Sequence, residues 1–380
     1  GGDYRSAVLS PVDGATLFIG NPPYLRHHGI APEWKDWNAA AAARFGVKAS
    51  RLAGLHLHFF LRTLELARPG DLGCFVTAAE WLDVNYGAAL RRLLAGPLGL
   101  AALYRLDPKA LPFADAVTTG AIIGFRPAAH EGSAGEAVEV GDIAALGRLG
   151  ALSDSRIVSR RAFAAPRWSQ IGRARAVHPA GWVELGALCR VHRGQVTGGN
   201  AVWIAGPHGT DLPERFLFPA VTKARELIAA GDALTDASRL RRVIDLPVDI
   251  GIDDPAVQRF LAWARQQGAD AGYIARHRKA WWSVGLKSPA PILCTYMARR
   301  PPAFVRNRCG ARHINIAHGL YPRAPMSDAI LEALAAFLRA NVAQSSGRTY
   351  AGGLTKFEPK ELERIAVPPL AELIAASPAG

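Results

Sequence analysis

The apolar run Ala15–Gly20 (ATLFIG) stops at Asn21-Pro22-Pro23, and that junction limits the possible folds more than any other stretch of the chain. Two consecutive prolines supply no N–H to a ladder and fix φ, so a strand must end there and leave its sheet. Behind the junction the pattern alternates. Leu57, Phe60, Leu61 and Leu64 recur at i, i+3, i+4 and i+7, which predicts a helix from about Ala53 to Arg68. Pro69-Gly70-Asp71 ends it. Leu72–Thr77 then predicts a strand, Gly87–Leu94 a second helix, and Leu100–Leu106 and Thr118–Phe125 two further strands. This order predicts an α/β fold with a doubly wound sheet. From Arg126 to about Ser155 the chain turns small and polar, which predicts a surface connection. Beyond Trp182 it reads as less regular, with one clear helix capped by Ser327 and presenting Ile330, Leu334, Phe337 and Leu338 on one face.

With 380 residues, two or three domains are expected. Hydrophobic residues at 49% and charged residues at 20% exclude wholesale disorder. No apolar run approaches the roughly 18 residues of a membrane span, and the start of the chain has no signal-peptide pattern, so a cytoplasmic protein is expected. Cys74, Cys189, Cys294 and Cys309 show no C-x-x-C spacing, and His56 and His58 face different sides of one helix, so no metal site is expected. Nor does an acidic pair followed by Glu-x-Lys mark a nuclease.

Charge is distributed unevenly. Lys and Arg number 45 against 32 Asp and Glu, a formal charge of +13. Residues 1–150 carry 14 of each sign, whereas residues 151–380 carry 31 basic and 18 acidic side chains. That asymmetry points to a polyanion, with nucleic acid the usual one. Within Ala271–Ser327 lie Arg276, Arg278, Lys279, Lys287, Arg299, Arg300, Arg306, Arg308, Arg312 and Arg323, and no acid. Tyr273, Trp281, Trp282, Tyr296, Phe304 and Tyr321 are interleaved. Cations among aromatics suit phosphate contact and base stacking. Trp281-Trp282 is expected to be a packed pair, leaving phosphates to Arg276, Arg278 and Lys279.

The diproline turn also has chemistry. The C-terminal end of a strand in an open α/β sheet is where ligands bind. The amide oxygen of Asn21 and the carbonyl of Pro22 can accept both hydrogens of a planar amino group and favour a tetrahedral, nucleophilic nitrogen, a form of electrostatic preorganisation. Tyr24 offers a ring face for a planar base.

On Asn21-Pro22-Pro23-Tyr24, and on the motifs in order around it, the chain resembles the γ-type adenine-specific DNA methyltransferases: TaqI-like, type IIG restriction–modification and BREX-type methylases. The likeness covers nearly the full length. Gly2-Asp3-Tyr4 resembles the motif whose acid contacts the adenine of S-adenosylmethionine, which implies a cofactor role for Asp3. Leu57-His58-Phe59-Phe60 resembles the following Asp-Leu-Tyr-x-x-Phe helix with its acid replaced. Gly70–Leu82, with Tyr86 and Leu90-Arg91, resembles the next strand and helix. Leu111-Pro112-Phe113 resembles the motif whose phenylalanine stacks on the flipped adenine. Arg193–Asn200 is similar to the G-x-x-T-G-x-N opening of a target-recognition domain, and Trp281-Trp282, His318–Pro322 and Tyr350–Leu354 are similar to its later elements.

The resemblance implies the C-terminal part of a Rossmann-like class I methyltransferase sheet in residues 1–126. A connection at 127–180 and a mixed α+β, basic target-recognition domain at 181–380 would follow. It implies Asn21, Pro22, Pro23 and Tyr24 as catalytic residues, and Tyr24 with Phe113 as the stacking pair around a flipped base. Double-stranded DNA would be the partner, bound through Arg276, Arg278, Lys279, Lys287, Arg299, Arg300, Arg306 and Arg308. S-adenosylmethionine would be the cofactor. The family's Gly-rich cofactor loop precedes the catalytic turn and has no counterpart in this sequence, so the chain is expected to be a fragment or to share its cofactor site with a second polypeptide. Two other readings use the same residues: a DNA-recognition or specificity subunit with a vestigial motif, and a methyltransferase acting on RNA or on a glutamine side chain.

Overall fold

The computed structural model describes residues 2–10, 12–107, 119–127, 137–144, 155–173, 178–250, 254–350 and 354–375. The chain forms two compact units, one built on Gly1–Ala176 and the other on Val177–Thr349 with Leu354–Gly380.

The first unit contains β1 (Leu17–Gly20), α1 (Pro32–Arg44), α2 (His56–Leu66), β2 (Leu72–Ala78), α3 (Ala88–Ala95), β3 (Leu100–Leu106), β4 (Gly120–Phe125), β5 (Ala137–Ile143) and β6 (Arg156–Ser159). Its sheet has the order β1-β2-β4-β3-β5-β6. β1 runs parallel to β2, and β3 to β5, while β4 is antiparallel to both of its neighbours. Parallel neighbours need long crossovers, and α1 with α2 supplies the one from β1 to β2. The α/β sheet expected for this part of the chain is present.

The rings of Phe60, Phe75 and Phe125 meet edge to face or tilted, with centroids 5.0–5.4 Å apart, and they join α2 to the sheet. Gly73 makes room: a Cβ there would lie 2.2 Å from the Phe125 ring. α1 is not legible from apolar periodicity, because its buried residues are Asn38, Ala41 and Ala42. Its signals are Pro32 in the first turn and an alanine run of high helix propensity.

The connection expected at 127–180 is corrected by the structure. β5 pairs with β3, and β6 with β5, so both extend the first sheet. Val138, Val140, Phe163 and Trp168 lie in the same core as Phe60. The polar stretches around β5 conceal an ordinary alternation, in which Val138 and Val140 face inward and Glu139 between them does not.

The second unit is more regular than expected. A five-stranded sheet runs in the order Ala233–Leu234, Phe304–Asn307, Ile292–Thr295, Ala317–Pro322 and Cys189–Arg193. Its central strands are short and buried on both faces; Ile292–Thr295 is buried at every position. Such strands lack the period-two signature. The helix Asp328–Asn341 has the expected cap, with the Ile330 N–H donating to Ser327 Oγ at 3.3 Å, and it buries Leu334 and Leu338. Trp281 and Trp282 pack edge to face at 5.9 Å, and the Trp282 indole donates to the Pro247 carbonyl at 3.0 Å.

Among the described residues three imidazoles are buried: His58 in the first unit, and His313 and His318 in the second. Burial pushes each down to about 4 from 6.5. The folded chain therefore keeps them neutral at pH values where the unfolded chain protonates them. Stability should be full above about pH 6.5 and fall as the pH drops toward 4, by up to about 3 kcal/mol per imidazole. Urea midpoints at pH 7.5 and 5.0 check this, and equal midpoints would refute it.

Candidate active site

β1 delivers the diproline turn to one end of the sheet. Gly20 lies opposite Phe75 in the parallel register, and a Cβ on Gly20 would come within 3.2 Å of that ring. Beyond it Asn21 and Pro23 are exposed, Pro22 is buried and Tyr24 is half-buried. The turn is therefore anchored through Pro22 and presents the Asn21 side chain to solvent. Burial pushes the Tyr24 phenol up to about 12, so the ring stays neutral at any physiological pH.

Two contacts fix where the turn goes next. The Leu55 N–H at the start of α2 donates to the Leu25 carbonyl at 2.9 Å. Gly54 permits this approach, since a Cβ there would sit 3.2 Å from the same oxygen. Arg26 pairs with Glu80 at 3.4 Å, and Glu80 also accepts from the Tyr86 hydroxyl at 3.2 Å. Glu80 lies just past β2, and the neighbouring Ala79 N–H donates to the Thr119 carbonyl at the entrance of β4. The ends of β1 and β2 and the start of β4 thus meet at one edge. β3 runs parallel to β2 and also ends there, at Leu106. Phe113 belongs to the β3–β4 connection and lies outside the described residues.

The segment that carries Asp3 is tied to α2. Tyr4 stacks on Phe59 (4.9 Å, 8°), and its hydroxyl shares a 2.8 Å hydrogen bond with Thr63 Oγ1. The Asp3 carboxylate takes Arg5 Nε at 2.8 and 3.0 Å and also pairs with Arg5 Nη2. Hydrogen bonding from Arg5 holds its carboxyl below the usual carboxylate range. Arg5 in turn lies 3.3 Å over the Trp34 ring. His58 faces inward, stacked on Trp37 at 5.4 Å. Sequence reading missed Glu80, Arg5 and Trp34. Trp34 and Trp37 at i, i+3 were the available signal for an aromatic wall on α1.

The expected phosphate contacts divide. Arg276, Lys279, Lys287, Arg299 and Arg300 are exposed. Arg278 is half-buried and donates to the Val196 carbonyl at 2.6 Å. That contact ties it to the Arg193–Asn200 turn, where Thr197 Oγ1 donates to Asn200 Oδ1 at 2.5 Å and Gly198 has φ 77°. Arg306 is corrected: it is 3% exposed, donates to the Pro291 carbonyl, and pairs with Asp328 and Glu332. Arg308 is exposed but bonds Asp328 at 3.0 Å and Glu332 at 2.8 Å. The acids come from the helix just past Ser327, so a count that stops at that residue misses them.

Comparison with known proteins gives two family matches: the Eco57I restriction-modification methylase over residues 13–103, and the M.Eco57I type II methyltransferase C-terminal domain over residues 221–378. The chain is 56% identical to the type II methyltransferase M.XamI of Xanthomonas campestris pv. amaranthicola, over 98% of this chain and 71% of that protein. The chain belongs to the type II restriction–modification methyltransferases. It is also 19% identical to the type II methyltransferase M.AccI of Acinetobacter calcoaceticus, over 91% of this chain and 67% of that one. Among solved structures, the type IIL restriction–modification enzyme MmeI in complex with DNA is similar in fold, with TM-score 0.54 and 13% identity. That likeness covers 84% of this chain and 42% of the other. The first match contains β1, the diproline turn, α2 and β2; the second contains the exposed cations and the Asp328–Asn341 helix. Of the motifs read from sequence, Asn21–Tyr24, Leu57–Phe60 and Gly70–Leu82 fall in the first matched segment and Trp281-Trp282, His318–Pro322 and Tyr350–Leu354 in the second, while Gly2–Tyr4, Leu111–Phe113 and Arg193–Asn200 lie outside both. Among the described residues, no helix is long and apolar enough to cross a membrane.

Proposed function

We propose that this chain carries the base-binding and target-recognition parts of an adenine-specific DNA methyltransferase that uses S-adenosylmethionine. The observation that carries the reading is the exposed Asn21 side chain, held at the end of β1 beside a half-buried Tyr24 and anchored through Pro22. The target adenine must leave the duplex, because pairing otherwise occupies its amino group. Tyr24 would stack on the extruded ring, with Phe113 on its other face, while Asn21 Oδ1 and the Pro22 carbonyl accept the two amino hydrogens. The nitrogen lone pair is then directed away from the ring plane.

The described residues fit one part of a cofactor site. Asp3 is an exposed carboxylate, kept ionised by Arg5 and fixed to α2 through Tyr4, and it would accept from the cofactor's adenine amino group. The bound cofactor supplies an electrophilic methyl on a positive sulphur. Its Gly-rich loop would come from polypeptide beyond these 380 residues, joined to this chain or separate. The chain's own residues would orient the amine.

In the second unit Arg276, Lys279, Lys287, Arg299 and Arg300 would contact phosphates. Alanine at Arg276 and Lys279 together should weaken binding to every duplex alike and reduce the slope of log K against log salt by about 2. An unchanged slope in a fluorescence-anisotropy titration would remove both from the interface.

The reading is tested by tritiated methyl transfer to duplex DNA, RNA and a glutamine peptide, with the polypeptide bearing the Gly-rich loop present, followed by nucleoside analysis for N6-methyladenine. Incorporation into RNA or peptide alone would move the substrate. DNA binding without transfer under any condition would leave a recognition subunit.

A further inference from the structure

On the α3 side of the first unit, that helix and the turn Arg160–Ala164 border a groove of about 520 Å³. Two consecutive arginine pairs, Arg91-Arg92 and Arg160-Arg161, line it, and among the described residues no acidic side chain does. Phe163 and Trp168, both buried, form an apolar floor. Arg91 and Arg92 come from the charge-balanced residues 1–150, and Arg160 and Arg161 from the basic remainder of the chain. Like charges gathered in one groove repel unless something offsets them.

The protein holds two of the four in place with neutral oxygens. Arg91 donates to the Val84 carbonyl at 3.0 Å and also to the Trp81 carbonyl. Arg160 donates to the Leu100 carbonyl at 2.7 Å, at the start of β3 and so at the end of the sheet opposite Asn21. These carbonyls orient both guanidinium groups. Burial lowers the Arg160 pKa, which an anion in the groove would counter. Arg92 and Arg161 are exposed and form no ion pair among the described residues. Guanidinium forks match phosphate oxygens two at a time, and the volume falls in the range of small-molecule sites, roughly 300–1,000 Å³.

We infer that this groove is a second anion site, which binds a phosphate-bearing ligand through Arg92 and Arg161 beside the pinned Arg91 and Arg160. It is separate from the edge that carries Asn21, and it does not rest on the methyl-transfer reading. The phosphate has two possible sources, a free nucleotide-like polyphosphate or the backbone of a duplex.

The test uses the 380-residue chain with pyrophosphate and a short duplex as probes, in calorimetry at low salt. Arg92→Glu/Arg161→Glu should lower pyrophosphate affinity at least about tenfold, while Arg92→Lys/Arg161→Lys, which keeps the charge but loses the bidentate fork, should fall between that variant and wild type. If pyrophosphate fails to bind wild type but the glutamate pair reduces the duplex salt slope by about 2, the source is the DNA backbone. Arg225→Glu/Arg239→Glu applies the same charge change at exposed sites in the other unit. The inference is overturned if neither probe separates the Arg92/Arg161 variant from wild type, or if the Arg225/Arg239 control loses as much pyrophosphate affinity. Should the glutamate pair fail to fold, Arg92→Ala/Arg161→Ala gives the same reading without added repulsion.

Discussion

Alanine at Asn21 should lower methyl transfer to duplex DNA by a factor of about a hundred or more, while duplex affinity stays within about twofold. The side chain is exposed at the end of β1, so its removal opens no cavity and leaves the fold intact. What it removes is a fixed acceptor for one amino hydrogen of the target base, an interaction that tightens as the nitrogen becomes tetrahedral. Truncating one such preorganised group typically reduces turnover by about 10² to 10³. Single-turnover incorporation, measured with the cofactor site completed, gives the rate, and anisotropy gives the affinity. A variant that retains the full rate would end the proposed role of the turn. Asn21→Asp adds a finer check, because it keeps an acceptor oxygen while placing a negative charge beside the ring.

Phe60→Ala should be the most damaging core substitution tested in the first unit, with a loss of about 3–5 kcal/mol. Phe60 is fully buried between Phe75 and Phe125. Differential scanning calorimetry should show the transition of that unit falling by roughly 10 °C or more, with the second unit's transition unmoved. A fall of only a degree or two would mean that α2 is not seated on the sheet through this ring. The same variant should also displace the diproline turn, since α2 holds Leu25 through the Leu55 amide.

The diproline turn was legible because its signal is local. A strand ending at Asn-Pro-Pro has few alternatives, and the i, i+3, i+4, i+7 face of α2 and the alternating LGCFVT of β2 needed no partners to interpret. Reading failed where local pattern and burial part company. α1 buries Asn38 and alanines, which carry almost no hydrophobic contrast. β5 and β6 sit in polar surroundings that read as a connection, although Val138, Val140 and Trp168 complete a core assembled from distant sequence. In the basic segment, charge composition alone treated Arg306 and Arg308 like their neighbours. Only the fold reveals that Asp328 and Glu332 come back along a helix to neutralise them. The proposed phosphate contacts are accordingly the exposed Arg276, Lys279, Lys287, Arg299 and Arg300.

Asp71 connects these levels. Its carboxylate, almost wholly buried, accepts the Thr16 amide at 2.7 Å and the Arg68 amide at 2.8 Å, while the Leu72 amide returns to the Thr16 carbonyl. This clasp sits at the opposite end of β1 from Asn21 and sets the alignment of β1 against β2. A slip of one residue would turn Phe18 outward and Ile19 inward, and would carry the amide acceptor several ångströms from any base. A lesion at residue 71 would therefore look in an activity assay like an injury to the reaction centre, though it touches neither nucleotide nor donor.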